Sequence, residues 1–533
     1  MSCPILKLID PKLRLMTLVI IVFAPSILHS QQKNISLNRF FSQEVERAYI
    51  GDRVEFIHTA SKPYLESQID IERVDGLRKD TTKVYYVGSG KLFKRHLFSI
   101  KKDDYFLAID PLFDFSFGND ISDTTAGYSG RSLYMNQRGL QFLGDVGKQF
   151  SFQTSFYESQ AFVPWYLRQQ VVATGVYPGF GRTKPFKVQG FDFAMANGWV
   201  NYSPKPWISV QFGQGKNFIG NGYRSLLLSD AAFSYPYIKA ILTSPDKKWQ
   251  YNTMYASLQT LERLPRGEVP ESLFKRKGGS FHYLSWVPTP GIELGLFEGI
   301  IWERYDSSGT KPQPYGGYIP VMGVNTALNG YGNMNHVITG VNARFIVTKH
   351  SFVYGQFVTD DISSLRFGYQ LGMKYFDLGI KNLDIQLEWN SLASNLYTSH
   401  YSLQSYSHVN QPLGHPSGPA TQEMLAILNY RKHRFITQVK LNRISHSTGP
   451  EGNWASDPNI ILTNIAAWPV HYVDQIDVNV GIFVNPVTNF QLSIGYTGRT
   501  DRTDFNWMND AKQRTDYLYV SVRTNLINRY TDF

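Results

Sequence analysis

In one stretch of the chain, Trp165, Tyr166, Arg168, Tyr177, Phe180, Arg182 and Lys184 interleave aromatic rings with cations. Aromatic faces stack on sugar rings, and Arg or Lys pairs with uronate or phosphate groups, so this stretch has the chemistry of an acidic-glycan contact. A second stretch sets Tyr305, Tyr315, Tyr318 and Tyr331 among many glycines. The competing use of both is an aromatic belt at a bilayer interface combined with ordinary loop packing. Catalytic patterns are weaker. The twelve histidines are scattered and form no H-x-x-x-H pair with a carboxylate partner; a phosphate-cradling glycine loop and a G-x-S-x-G elbow are also missing from the sequence. His400, His408 and His415 share one stretch, followed by His446, and read as solvated loop residues. Asn390-Ser391 and Ser399-His400 supply the residue types of a barrel-rim hydrolase without its arrangement. The expectation is a non-catalytic protein with no cofactor and no metal.

The elements that would position these residues begin after a leader. Lys7, Lys12 and Arg14 precede the apolar run Leu15 to Ala24, and the small Ser30 offers a cleavage point, so residues 1–30 read as a signal peptide. The only cysteine, Cys3, lies inside it. A disulfide-free exported chain suits a barrel, whose closed hydrogen bonding replaces staples. With 15% aromatic and 18% charged residues the composition departs from that of a soluble enzyme. No later stretch reaches the ~18–20 apolar residues of a spanning helix, so any crossing must use strands. Formal net charge is +10, or +8 without residues 1–30, which suits acidic polysaccharide or lipopolysaccharide as partners.

Residues 31–104 read as an N-terminal periplasmic region, opened by a short amphipathic helix on Leu37, Phe40, Phe41, Val45, Ala48 and Tyr49. From about Tyr105 the period becomes two. Leu383, Ile385, Leu387 and Trp389 alternate with Asp384, Gln386, Glu388 and Asn390; Phe490, Leu492, Ile494 and Tyr496 alternate with Gln491, Ser493, Gly495 and Thr497. Alternation alone also fits a soluble sandwich, and the connections decide. Short turns at Gly144–Lys148, Ser203–Pro206, Ser244–Lys248, Pro288–Gly291, Thr348–His350, Asp377–Asn382, Arg431–His433 and Asn485–Thr488 take turns with long connections such as Glu158–Gln189 and Ser391–Gln422. That parity is expected of an all-β transmembrane barrel over 105–533, with about eighteen antiparallel strands, short turns periplasmic and long loops outside. Leu518, Val520, Val522, Thr524 and Leu526 alternate outward in the last segment, and the chain stops at Phe533. This resembles, in part, the C-terminal aromatic strand read by the barrel-assembly machinery.

Four stretches carry a family resemblance. Gly215-Lys-Asn-Phe-Ile-Gly-Asn-Gly-Tyr-Arg-Ser-Leu-Leu-Leu-Ser-Asp230 is the most specific, joined by Asn410-Gln-Pro-Leu-Gly-His-Pro416, Asn136-Gln-Arg-Gly139 and Val520-Ser-Val-Arg-Thr-Asn-Leu526. Together they resemble the capsule-assembly Wzi-type outer-membrane proteins, and within them the gliding-motility RemB branch of Bacteroidetes. The resemblance implies an eighteen-stranded barrel, partly occluded by its own loops, that binds surface polysaccharide as a lectin and, in the gliding branch, assists motility. A nutrient porin or transporter remains the rival, and a rim hydrolase a further one. The ligand candidates are Trp165, Tyr166, Arg168, Tyr177, Arg182, Lys184, Tyr315 and Tyr318. The motif residues Asn217, Gly220, Gly222, Tyr223, Arg224, Ser225, Ser229 and Asp230 are either ligand contacts or structural, with Arg224 and Asp230 a candidate buried pair. Expected partners are outer-membrane lipid, lipopolysaccharide, surface polysaccharide and, during biogenesis, the barrel-assembly machinery; nucleic acid is not among them.

Overall fold

The computed structural model describes residues 34–51, 55–70, 73–74, 87–125, 130–264, 273–306, 309–310, 315–331, 335–447, 470–504, 511–524 and 527–533. The leader and its cleavage point lie outside the described residues. The expected first helix is present as α1, Arg39–Ile50. Asn38 opens it by accepting a hydrogen bond from the Phe40 amide at 2.9 Å. Its apolar stripe of Phe41, Val45 and Tyr49 packs on Ile57, Tyr64, Ile69 and Val74.

The wall is a closed antiparallel barrel of 18 strands. In chain order these are β1 Tyr105–Asp120, β2 Ser132–Val146, β3 Phe150–Phe162, β4 Gly190–Lys205, β5 Ile208–Gly215 and β6 Tyr235–Thr243. Then follow β7 Trp249–Arg263, β8 Phe274–Trp286, β9 Ile292–Glu303, β10 His336–Thr348, β11 Ser351–Asp361 and β12 Arg366–Tyr375. The circuit ends with β13 Leu383–Leu392, β14 Thr421–Lys432, β15 Phe435–His446, β16 Val470–Asn485, β17 Phe490–Asp504 and β18 Ala511–Thr524. Closure is made where β18 pairs with β1, Tyr517 opposite Asp120 and Arg523 opposite Asp114. A ring of strands has no unpaired edge, so every ladder group is satisfied within the wall. A four-residue strand, Phe98–Lys101, continues the edge of β1 below the end of β18, so wall pairing starts before Tyr105.

The eight expected short turns all join consecutive strands at one end, and the long connections all lie at the other. The alternation resolves as a lipid-facing pattern: Leu387, Trp389, Leu492, Ile494, Leu518 and Val520 stand exposed on the outside, while Asp384, Glu388, Asn390, Gln491 and Ser493 are buried in the lumen. In a sandwich the same apolar set would be hidden. Exposures such as 69% at Phe212 and 56% at Phe117 are costly in water and favourable in hydrocarbon.

The C-terminal segment differs from its sequence reading. The last strand stops at Thr524, and residues 527–533 leave the wall and turn into the lumen, where Tyr530 is 2% and Asp532 0% exposed. Phe533 therefore does not close a strand; it packs near Tyr166, ring centroids 6.4 Å apart. Polar pairing holds it there: Asn528 and Tyr530 meet Asp230, and Asp532 meets Tyr223 and Arg224, all inside the barrel.

Candidate functional site

The lumen is where the motif residues gather. The connection between β5 and β6 folds inward, and its backbone fits the wall through two glycines. At Gly220, φ is 150°, and a Cβ would stand 2.5 Å from Gln356 Nε2; at Gly222 it would stand 2.5 Å from Glu388 Oε2. With no Cβ to displace it, Glu388 accepts from the Tyr223 amide at 2.6 Å and the Arg224 amide at 3.0 Å. Asn217 accepts from Lys239 Nζ at 2.9 Å. Ser225 Oγ accepts from the Leu227 and Leu228 amides, and Ser229 Oγ from the Ala231 amide. These bonds hold the connection in place.

Arg224 is fully enclosed. Its guanidinium meets Glu423 at 2.6 Å and Asp532 at 3.0 Å, and not Asp230 as the sequence suggested. Asp230 instead accepts from Asn528 Nδ2 at 2.8 Å and from the Tyr530 hydroxyl, both on the C-terminal tail. Burial alone would push Arg224 down, but Asp532 and Glu423 overrule it and hold it well above its usual range. Burial likewise works against the Asp532 carboxylate, yet Arg224 and Lys440 hold it far below the usual range. Tyr223 completes the tie by donating to Asp532 at 2.7 Å. The tail is thereby locked to the β5–β6 connection and to β14 and β15.

The connection between β13 and β14 folds inward beside it. Leu396, Tyr397, Tyr406 and Leu413 join Leu226, Leu227 and Leu228 in one core with Met254, Leu258, Phe281, Ile338 and Val358 of the wall. Two of the three histidines of this connection are therefore not solvated: His408 is 2% and His415 0% exposed. Burial, then the nearby Lys277, pushes His408 down to about 3, so it is neutral; it stacks on Phe233. His415 meets Glu423 at 2.8 Å through Nε2, and its Nδ1 accepts from the Ser417 amide, so it activates no hydroxyl. His400 is exposed and apart from both. Among the described residues no three His, Cys, Asp or Glu side chains are grouped as metal ligands.

At the short-turn end, α1 is tied to the β12–β13 hairpin. Its Arg47 pairs with Asp377 and Asp384, and its Glu46 with Lys374 at 2.7 Å. The residues after it run up the lumen: Glu293 accepts from the amides of Thr59 at 2.9 Å and Ala60 at 3.1 Å, and Lys62 donates to the Gly220 carbonyl at 2.7 Å. Burial pushes Lys62 down to about 8. Between α1 and the β5–β6 connection remains a chamber of about 150 Å³ bordered by Arg39, Lys62, Tyr223, Lys440 and Arg529.

The ligand candidates separate. The helix α2, Trp165–Thr174, and the chain after it turn Tyr166, Arg168 and Tyr177 inward. Tyr166 lies under the Arg499 guanidinium at 4.4 Å, Arg168 faces Asp123 at 3.4 Å, and Tyr177 stacks on Phe193. Trp165 is half-buried, and Arg182 and Lys184 are exposed on the long-connection rim. Two residues not singled out from the sequence, Arg263 and Phe274, join them there: Arg182 and Arg263 stand 5.9 and 4.9 Å from the Phe274 ring. The charge-rich approach to the β7–β8 connection was the available signal. Tyr315 begins a short turn, Tyr315–Tyr318, and Tyr318 lies on the outer wall against Tyr255 and Trp302, away from the rim group.

The barrel fold has a parallel among solved structures. Wzi of Escherichia coli, described as an outer-membrane protein of group 1 capsule assembly and a carbohydrate-binding β-barrel, matches 92% of this chain over 99% of its own length. The TM-score is 0.55 and the identity 13%. The fold is that of an outer-membrane β-barrel. OpdK of Pseudomonas aeruginosa (TM-score 0.43, 10% identity, 79% of this chain and 98% of its own) and OccAB2 of Acinetobacter baumannii (0.41, 9%, 78% and 97%) also match. At 13% identity the likeness to Wzi speaks for barrel architecture alone. No protein-family model and no curated protein matches the chain.

Proposed function

We propose that this barrel is a non-catalytic surface lectin, holding acidic capsular or exopolysaccharide by its long-connection rim. The observation that supports it most is the division of labour between lumen and rim. The lumen is filled by the barrel's own connections and tail, while Arg182, Lys184, Trp165 and the Arg263–Phe274 pair remain at the rim. Cations beside aromatic faces suit repeating uronate or phosphate-bearing sugars, many weak contacts summing along the polymer. Carbohydrate binding by the Wzi barrel accords with this reading. In it, residues 1–30 are removed on export, 31–104 enter the barrel from the periplasmic end, barrel-assembly machinery inserts the chain, and lipopolysaccharide surrounds it. In a gliding cell the same hold on exopolymer would give traction.

A glycan array with refolded protein tests the proposal. Acidic polysaccharides should be retained over neutral ones, and Arg182→Ala with Lys184→Ala should lower that retention and its salt dependence. Equal binding of neutral glycans, or a double variant that binds like the parent, would overturn it.

A further inference from the structure

One long connection does not behave like the others. The parity of β7 to β11 is set by the lumen core, which takes Met254, Leu258, Phe281, Phe297, Ile301, Ile338 and Val358. The opposite parity faces outward, and there the register aligns Thr253, His282, Glu298, Thr339 and Thr359 across five consecutive strands. This polar rank lies four residues above Trp249, whose ring stacks on Trp286 at the short-turn rim. Four strand residues span roughly 13 Å, which places the rank inside an apolar band about 25 Å tall. A bare carboxylate there would face hydrocarbon at severe cost.

It is not bare. Glu298 is 2% and His282 1% exposed, because residues 317–331 of the β9–β10 connection fold back down the outside of the wall. Glu298 accepts from the Gly323 amide at 2.7 Å and from the Thr326 hydroxyl. The Tyr251 hydroxyl donates to the Pro320 carbonyl at 2.9 Å and accepts from the Met322 amide at 3.1 Å. Tyr255 donates to the Tyr318 carbonyl at 2.7 Å, and the Tyr331 hydroxyl meets Thr339 at 2.9 Å. The short helix Val324–Asn329 closes further backbone groups on itself. So the outward polar side chains satisfy the peptide groups of the covering segment, which is the condition for irregular backbone at membrane depth.

The covering segment is matched to lipid on its far side. Residues 317–331 contain no Asp, Glu, Lys, Arg or His, and they expose Tyr318, Val321 and Leu328 at 46, 55 and 69%. This surface is continuous with the lipid-facing Leu296 and Val341 on β9 and β10 beside it. We infer that residues 317–331 are a strap embedded among the acyl chains of the membrane, docked on the outer wall through the Tyr251, Tyr255 and Glu298 contacts. The occupant of its apolar face is hydrocarbon, not polysaccharide and not a second protein. The inference depends on the barrel spanning a membrane and is independent of what the rim binds.

Cysteine accessibility tests it, since the chain after residue 30 has no cysteine of its own. Val321→Cys, Leu328→Cys and Ala327→Cys would each be reconstituted in phosphatidylcholine liposomes and treated with a membrane-impermeant maleimide, with Tyr401→Cys and Val172→Cys as exposed controls on other long connections. The strap thiols should react on the order of tenfold more slowly than the controls, because thiolate formation needs water. A bimane on the same positions should be quenched by phospholipid carrying doxyl groups along its acyl chains. Strap thiols that react as fast as Tyr401→Cys, or bimane quenched by aqueous iodide and not by doxyl lipid, would overturn the inference. Ala327→Cys, the smallest change, keeps the test decisive if the larger sites disturb folding.

Discussion

Replacing Arg224 by Met should release the C-terminal tail from the lumen. In the parent, the guanidinium is 0% exposed and offers four hydrogen bonds to Glu423 and Asp532 side chains, plus one to the Asp532 carbonyl. Met fills a similar volume but leaves two carboxylates in an enclosed site. Breaking one side of a buried pair costs about 3–5 kcal/mol. Lys440 still serves Asp532 and His415 still serves Glu423, so the lower end of that range applies, roughly 3 kcal/mol. Divided by 1.36 kcal/mol per decade, that is on the order of a hundredfold rise in the open population of the tail. Hydrogen exchange of the 528–533 amides in detergent measures it directly, with the β16–β17 wall as internal reference. Glu423→Gln on top of Arg224→Met should recover part of the loss, since it removes one of the orphaned charges. If Arg224→Met leaves tail exchange unchanged, or if the second substitution worsens it, the buried network does not hold the tail.

Three further outcomes follow from the same packing. Glu293→Ala strands the Thr59 and Ala60 amides and should cost about 3 kcal/mol, read as faster proteolysis within 56–66; unchanged cleavage would contradict its anchoring role. Gly220→Ala combines a positive φ with a contact on Gln356 and should destabilise the barrel by more than about 1 kcal/mol, read as a lower apparent Tm in detergent, whereas removal of the exposed Arg443–Asp474 pair by Arg443→Ala should stay within roughly 1 kcal/mol. Lys62, lowered by burial to about 8, binds a proton more weakly folded than unfolded. Its charge therefore penalises the fold below pH 8, and stability should rise from pH 8 towards the unfolded value of 10.5. Lys62→Met should abolish that rise in Tm; a parent whose stability falls over this window would contradict the sign.

The wall was legible because a two-residue period and the parity of turn lengths are local properties of the chain. Leu387, Trp389, Ile494 and Val520 could be placed outside without any knowledge of what filled the inside. The tail was not legible for the same reason. Alternation runs on past Thr524, and nothing near Asp532 announces that its partner is Arg224, about three hundred residues earlier. The rim candidates were readable only by type: a cation beside an aromatic ring is equally a packing device, and Tyr166, Arg168 and Tyr177 are used that way. The strap left a signal that tyrosine content obscured, namely Glu298 at an outward position between Leu296 and Ile300, with an uncharged stretch, 317–331, in the connection that follows.

A ligand is held at the rim and does not pass through only if the lumen is closed by the chain itself. Conductance across a planar bilayer containing the refolded protein measures this without reference to a ligand. A barrel sealed by the β5–β6 and β13–β14 connections, α1 and the tail should show no steady current steps, with openings appearing only when residues 217–230 are deleted. Large ohmic steps from the unmodified protein would contradict the account.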